Sequence, residues 1–288
     1  MPYFIAEISS NHNNSIKRIE KMIVAAKESG FDAVKFQVFK MDKLFHPLVL
    51  KKYKTHRDRK KWELNLSFIK QIKKICNKNK IDLGFTPFYL DAVDLLSPLT
   101  DFFKIASYEI LWKPLIIKCA KQNKKLIIST GMAKLKEVSN ALNSANKYLN
   151  KKKISLLHCV SSYPASFKNC NLASIGLMRT KFKCSIGWSD HTVDQDVILR
   201  AVNHWGAEDI ELHFDLDGKG FEAGVGHCWL PKESKNLINK INKEVDLIVN
   251  NKSKSKKSDY SKKLVGQVKQ EIRLSNKFVN KHILKFIK

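Results

Sequence analysis

Two lysines sit inside short apolar runs of this chain, Lys35 within Ala33–Phe39 and Lys104 within Phe102–Ile105. An ammonium group is costly in such a run unless it is paired or faces water. Similar runs end in or near Glu7, Thr86, Ser129, Ser189 and His191, and another contains Glu211 and His213. Lysines from two different segments, joined by Thr86 and several serine hydroxyls, suit a small anion that carries phosphate and carboxylate. His191 and His213 with a carboxylate and an open position suit a divalent metal that polarises a carbonyl. Glu7 can add a further ligand or act as a general acid or base. The set suggests a phosphorylated carboxylate and a carbonyl compound brought together at a metal. Taken singly, a serine or histidine here can equally satisfy backbone groups, whereas the two lysines resist that explanation.

The other histidines separate by context. His46, His56, His204 and His282 read as loop or helix-surface residues, His158 reads as a packed strand residue, and His227 stays open.

These groups need a scaffold that delivers them to one place. Eight apolar, β-rich runs recur: 3–8, 33–39, 82–86, 102–105, 125–130, 154–159, 184–189 and 209–214. Helical patterns lie between them at 15–29, 61–79, 90–97, 114–122, 135–148, 173–181 and 193–205, and an eighth follows at 231–250. Continuous apolar runs fit parallel strands covered on both faces. Eight βα units in 288 residues predict a closed (β/α)8 TIM barrel. In that fold the chemistry gathers at the C-terminal ends of the strands, where the residues above fall. Gly30 and Gly206 can close helices in the left-handed conformation, and Pro114 and Pro231 suit a first helical turn. The longest irregular piece, 40–60, lies on the same side of the barrel, and loops of this length tend to be functional. The expected organisation is a barrel domain over 1–250, then a Lys-rich linker and C-terminal helical tail over 251–288. Leu264, Val268, Ile272 and Leu274 form the apolar stripe of that tail.

Composition narrows the partners. The chain carries 53 basic and 27 acidic residues, a formal charge of +26. Such a charge can signal nucleic acid or a membrane surface. Here the lysines are spread over almost every helix, and no basic stretch is interleaved with aromatics, so nucleic-acid binding is not expected. The charge instead suits a generally Lys-rich proteome or a field that attracts an anionic substrate. No apolar run approaches the ~18 residues of a membrane span. No secretory or lipidation signal is expected. Six widely spaced cysteines without a C-x-x-C pair fit reduced thiols in a cytoplasmic protein.

In order along the chain stand Phe4-Ile-Ala-Glu-Ile-Ser-Ser-Asn-His-Asn, Ala33-Val-Lys-Phe-Gln, Phe85-Thr-Pro-Phe and Phe103-Lys-Ile-Ala-Ser-Tyr-Glu. Ile128-Ser-Thr-Gly-Met, Leu157-His-Cys-Val-Ser-Ser-Tyr-Pro, Gly187-Trp-Ser-Asp-His-Thr and Glu211-Leu-His-Phe follow. Together they make residues 3 to about 235 resemble the sialic acid synthase family, which makes nonulosonic acids from phosphoenolpyruvate. The resemblance implies that His191 and His213 bind the metal, usually manganese, with magnesium or cobalt as alternatives. It implies that Lys35, Thr86, Lys104, Ser107, Ser129 and Ser189 hold phosphoenolpyruvate, and that Ser161 falls where the family often has Asn. Glu7, Gln37, Glu109 and Tyr163 match positions around the acceptor, an N-acetylmannosamine-like amino sugar. Glu7, Lys35 and Lys104 are the expected catalytic residues. The implied reaction joins C3 of phosphoenolpyruvate to the sugar aldehyde, after which water attacks C2 and phosphate leaves.

Two departures stand out. The family pattern Gly-Pro-Asp-His reads Gly224-Val-Gly-His227 here, so Gly226 replaces the aspartate, and Asp215, Asp217 or Glu222 is left to do its work. Family members usually carry a C-terminal antifreeze-like domain, which in the dimer supplies an arginine to the partner's sugar site. The sequence ends at Lys288, about where that domain begins, so the arginine is expected to be missing or to come from a separate lid protein. A homodimer is expected. Rival readings are a deoxy-heptulosonate or deoxy-octulosonate type of synthase and a non-catalytic sugar-binding barrel.

Overall fold

The eight apolar runs become eight parallel strands that close on themselves in the computed structural model, which describes residues 1–252, with side chains to residue 245. In chain order they are β1 (Tyr3–Ser9), β2 (Ala33–Val38), β3 (Asp82–Pro87), β4 (Phe102–Ile105), β5 (Lys125–Ser129), β6 (Ile154–Cys159), β7 (Ser185–Asp190) and β8 (Asp209–His213). Each pairs with the next, and β8 returns to β1 to close the expected (β/α)8 barrel. The linker and tail expected over 251–288 lie outside the described residues, apart from the end of helix Pro231–Lys252. Among the described residues, no helix is long and apolar enough to cross a membrane. All six cysteines are free thiols.

Local causes set the helices. Helix Ile16–Glu28 starts where the Ser15 hydroxyl accepts from the backbone N–H of Arg18. It buries Ile19, Met22, Ile23 and Ala26, one face at helical spacing, against the sheet. Gly30 ends the segment with φ at +94°, a conformation that suits glycine alone, and a β-carbon there would crowd Ile238 at 3.0 Å.

The segment after β2 differs from expectation. Residues 40–60 are not irregular but fold into short helices, Met41–Leu44, Pro47–Lys52 and Lys54–Asp58. His46 caps the second of these, its Nδ1 accepting from Leu48 N, and Pro47 occupies the first turn. Buried Glu63 pins the start of the segment, accepting from Met41 N at 2.8 Å and from Lys40 Nζ at 2.8 Å. The long helix expected from residue 61 therefore begins only at Ile69.

The barrel interior is layered. At its base Asp209 accepts from Lys125 Nζ at 2.5 Å and Ser155 Oγ at 2.6 Å. Above lies an apolar plug of Ile5, Ala33, Phe102, Ile127 and Leu157. Gly84 exists to admit this plug, since a β-carbon there would overlap the Phe102 ring. One step further along seven of the strands the inward residues turn polar: Glu7, Lys35, Thr86, Lys104, Ser129, Ser189 and Glu211. The plug keeps water out from below, so these groups meet solvent only through the C-terminal mouth.

Candidate active site

Strand alternation decides which polar residues face the mouth. Glu7 on β1 lies level with Lys35 on β2 and His213 on β8. Lys35 is almost fully buried and touches the Glu7 carboxylate, and its Nζ donates to Thr86 Oγ1 at 2.8 Å. Across the ring, Lys104 Nζ donates to Glu211 Oε1 at 2.6 Å. Ser189 Oγ donates to the same oxygen at 2.9 Å, and Glu211 Oε2 lies 3.7 Å from Lys35 Nζ. Two ammonium groups and two carboxylates thus alternate in one buried layer.

Their electrostatics follow from that burial. Desolvation drives the Lys35 ammonium down to about 7. Burial also opposes ionisation of Glu211, but Lys104 and Lys35 outweigh it and hold the carboxyl well below its usual range. The lysines fold onto these carboxylates and leave a cavity of only about 50 Å³ between them. Gln37, Ser107, Ser129 and Tyr163 line the same cavity with His191 and His213. Ser107 Oγ accepts from Gly131 N at 3.1 Å and lies 3.1 Å from Cys159 Sγ.

The histidines form the rim. His191 Nδ1 is 2.7 Å from the carbonyl of Val160. A carbonyl only accepts, so Nδ1 carries the proton and Nε2 keeps its lone pair. Burial, then the neighbouring His213, lowers His191 to about 3, and burial lowers His213 as well. Both rings are neutral at pH 7 and fit to ligate. Their centroids are 5.3 Å apart, and Tyr163 packs on His191 at 4.1 Å.

Two expected positions sit beside the cavity rather than in it. Glu109 occupies the 3₁₀ turn Ser107–Glu109, its Oε2 buried without a hydrogen-bond partner, and burial raises its carboxyl to about 7. Ser161 Oγ is likewise buried without a partner, against Gly131, where a β-carbon would overlap it. Asp190 faces outward. It accepts from the indoles of Trp188 at 3.2 Å and Trp229 at 3.1 Å, and so ties the β7 and β8 loops together. His158 is a packed strand residue, its Nε2 2.7 Å from the Cys170 carbonyl.

Glu211 has no assigned role in the sequence, although it shares the inward face with His213 two residues on, which is the signal that finds it. In the sequence His227 stays open and Glu222 is one of three carboxylates near Gly226. Both reach the rim: Glu222 Oε2 lies 3.4 Å from His213 Nδ1 and 3.7 Å from His227 Nε2. His213, His227 and Cys228 form a cluster of metal-capable side chains.

A model of the NeuB family matches residues 22–254. The chain is 39% identical over 255 residues to the N,N'-diacetyllegionaminic acid synthase of Campylobacter jejuni, covering 82% of this chain and 74% of that protein. It is 34% identical to the N-acetylneuraminate-9-phosphate synthase of Drosophila melanogaster, covering 83% and 67%. The structure of the N-acetylneuraminic acid synthetase of Leptospira borgpetersenii, in complex with citrate, superposes with a TM-score of 0.80 at 27% identity, over 96% of this chain and 92% of that one.

Proposed function

Because the chain belongs to the NeuB family, we propose that it condenses phosphoenolpyruvate with a hexosamine-derived aldehyde of the N-acetylmannosamine type, giving a sialic acid or related nonulosonic acid and phosphate. It is a carbon–carbon bond-forming transferase. One observation supports this above the rest: Lys35 and Lys104 stand in a single buried layer, each already paired to a carboxylate that an incoming anion can displace.

Exchange of Glu7 and Glu211 for the phosphate and carboxylate of phosphoenolpyruvate keeps each ammonium paired throughout, which avoids the cost of a bare buried charge. Thr86, Ser107, Ser129 and Ser189 add hydroxyl donors around the same anion. Gln37, Tyr163 and Glu109 lie toward the acceptor. The reaction forms a bond between C3 and the aldehyde carbon, places a proton on the aldehyde oxygen, adds water to C2 and breaks the C2–O bond to phosphate. Glu7, released from Lys35, is the base that takes a proton from the water. The apolar plug below and the buried layer around it exclude other water.

The rim fits a divalent cation. His191 Nε2 has a free lone pair, and His213 Nδ1 and Glu222 Oε2 are buried without hydrogen-bond partners. His191 and His213 would hold the cation, which supplies Lewis-acid polarisation of the acceptor carbonyl when bound. Manganese is our reading of its identity, and a cytoplasmic homodimer our reading of its setting.

Phosphate release from phosphoenolpyruvate, with manganese and a panel of N-acetylated hexosamines, tests the proposal. Release that depends on one of the acceptors is expected. No release with any of them, from protein that is folded, would overturn it.

A further inference from the structure

The loop from residue 214 to 230 crosses the rim, and its clamps are specific. Asn11 Nδ2 donates to Phe214 O at 3.1 Å, and its Oδ1 accepts from Glu222 N at 2.8 Å. Asn13 Oδ1 accepts from Phe221 N at 2.9 Å. The loop returns through Trp229, whose N–H donates to His213 O at 2.7 Å. Of the three carboxylates near the position taken by Gly226, two are spoken for: Arg18 holds Asp215 and Asp217, each at 2.7 Å. Glu222 alone turns inward. One of its oxygens accepts from the Ser9 hydroxyl. The other, Oε2, is buried with no hydrogen-bond partner, and so is His213 Nδ1, 3.4 Å away. With the His213 proton on Nε2, Nδ1 and Glu222 Oε2 face each other as acceptors in a buried site, a penalty that a shared cation removes. Two donors at ~2.1 Å from one cation stand about 3.0–3.4 Å apart, the separation found here.

We propose that Glu222 and His227 join His191 and His213 as ligands of the divalent cation, so that the β8 loop builds half of the centre. His227 belongs to the set because its Nε2 is 3.7 Å from Glu222 Oε2 and its ring centroid is 4.4 Å from that of His213. Cys228 lies within reach of His213 and His227, its Sγ accepting from Asn11 Nδ2 at 3.3 Å, and it is kept outside the proposed set as the control of the test below. The centre offers three imidazoles and one carboxylate, a set that retains a first-row divalent ion without help from substrate. The inference rests on the metal-dependent reading above, but it is tested by binding alone, so its failure and that of the synthase reading are separable.

The test is Co²⁺ and Mn²⁺ binding by the full chain, measured by metal analysis after dialysis at fixed free ion. The optical spectrum of the Co²⁺ form is recorded alongside. Glu222→Gln and His227→Asn should each weaken binding at least about tenfold. Cys228→Ser should bind as the parent does, and the Co²⁺ spectrum should lack a thiolate charge-transfer band. The metal-free variants are melted in parallel. Glu222→Gln should keep the metal-free Tm of the parent and lose most of the rise that Co²⁺ gives the parent. Parental affinity in both Glu222→Gln and His227→Asn would overturn the proposal. So would a thiolate band that disappears in Cys228→Ser.

Discussion

Lys104 on β4 reaches across the barrel to Glu211 on β8, its Nζ 2.6 Å from the carboxylate, with both side chains buried. The two strands lie on opposite sides of the ring, so the pair is a strut across the mouth. Breaking a buried pair by removing one partner costs about 3–5 kcal/mol, because the other charge is stranded. Glu211→Gln should therefore lower stability by about that much in urea unfolding. Adding Lys104→Met should recover most of the loss. A cost below about 1 kcal/mol for the single change would mean that the strut contributes nothing to the fold.

Lys35 links binding to pH. Burial lowers its ammonium to about 7, while an unfolded lysine keeps its proton to about 10.4. Between those values the unfolded chain binds more protons, so the Lys35 contribution to stability rises with pH. Anion binding runs the other way, because it needs the charged form. The KM for phosphoenolpyruvate should climb from pH 7 to about 9, and Lys35→Met should show a high, flat KM over that range. Steady-state kinetics and urea midpoints over one pH series check both signs together.

Glu109 moves oppositely. Burial raises its carboxyl to about 7, so the folded state holds the proton where the unfolded state has lost it. Its stabilising contribution is complete below the usual carboxylate range and is lost as pH rises through about 7. Glu109→Gln should gain about 3 kcal/mol on the parent between pH 4 and pH 8. Parallel stability curves for the two proteins would refute this.

Gly84 leaves room for the plug. Gly84→Ala should cost several kcal/mol or prevent folding, because the new methyl overlaps the Phe102 ring. Pairing it with Phe102→Leu should restore soluble protein. Thermal melts of the three variants decide the matter.

The strands were legible because each is a continuous apolar run bounded by turn residues, and all eight fall within a residue of their sequence reading. The lysines were legible because an ammonium inside such a run demands a partner. Facing direction was harder. A strand flips sides at every residue, so Asp190, between Ser189 and His191 at the mouth, turns outward to two tryptophans. Glu222 and His227 were out of reach for another reason. Their loop has no periodicity, and contacts from Asn11, Asn13 and Ser9, more than 200 residues earlier, set its course. Residues 40–60 looked irregular because each helical piece is too short to show an apolar face.

This barrel is proposed to make a carbon–carbon bond from phosphoenolpyruvate. Phosphoenolpyruvate labelled with ¹³C at C3, incubated with manganese and an N-acetylated hexosamine acceptor, tests it by mass spectrometry and NMR of the products. The expected product is an acid that holds all three phosphoenolpyruvate carbons, with the labelled carbon bonded to the former aldehyde carbon. Phosphate release accompanied only by labelled pyruvate would contradict it.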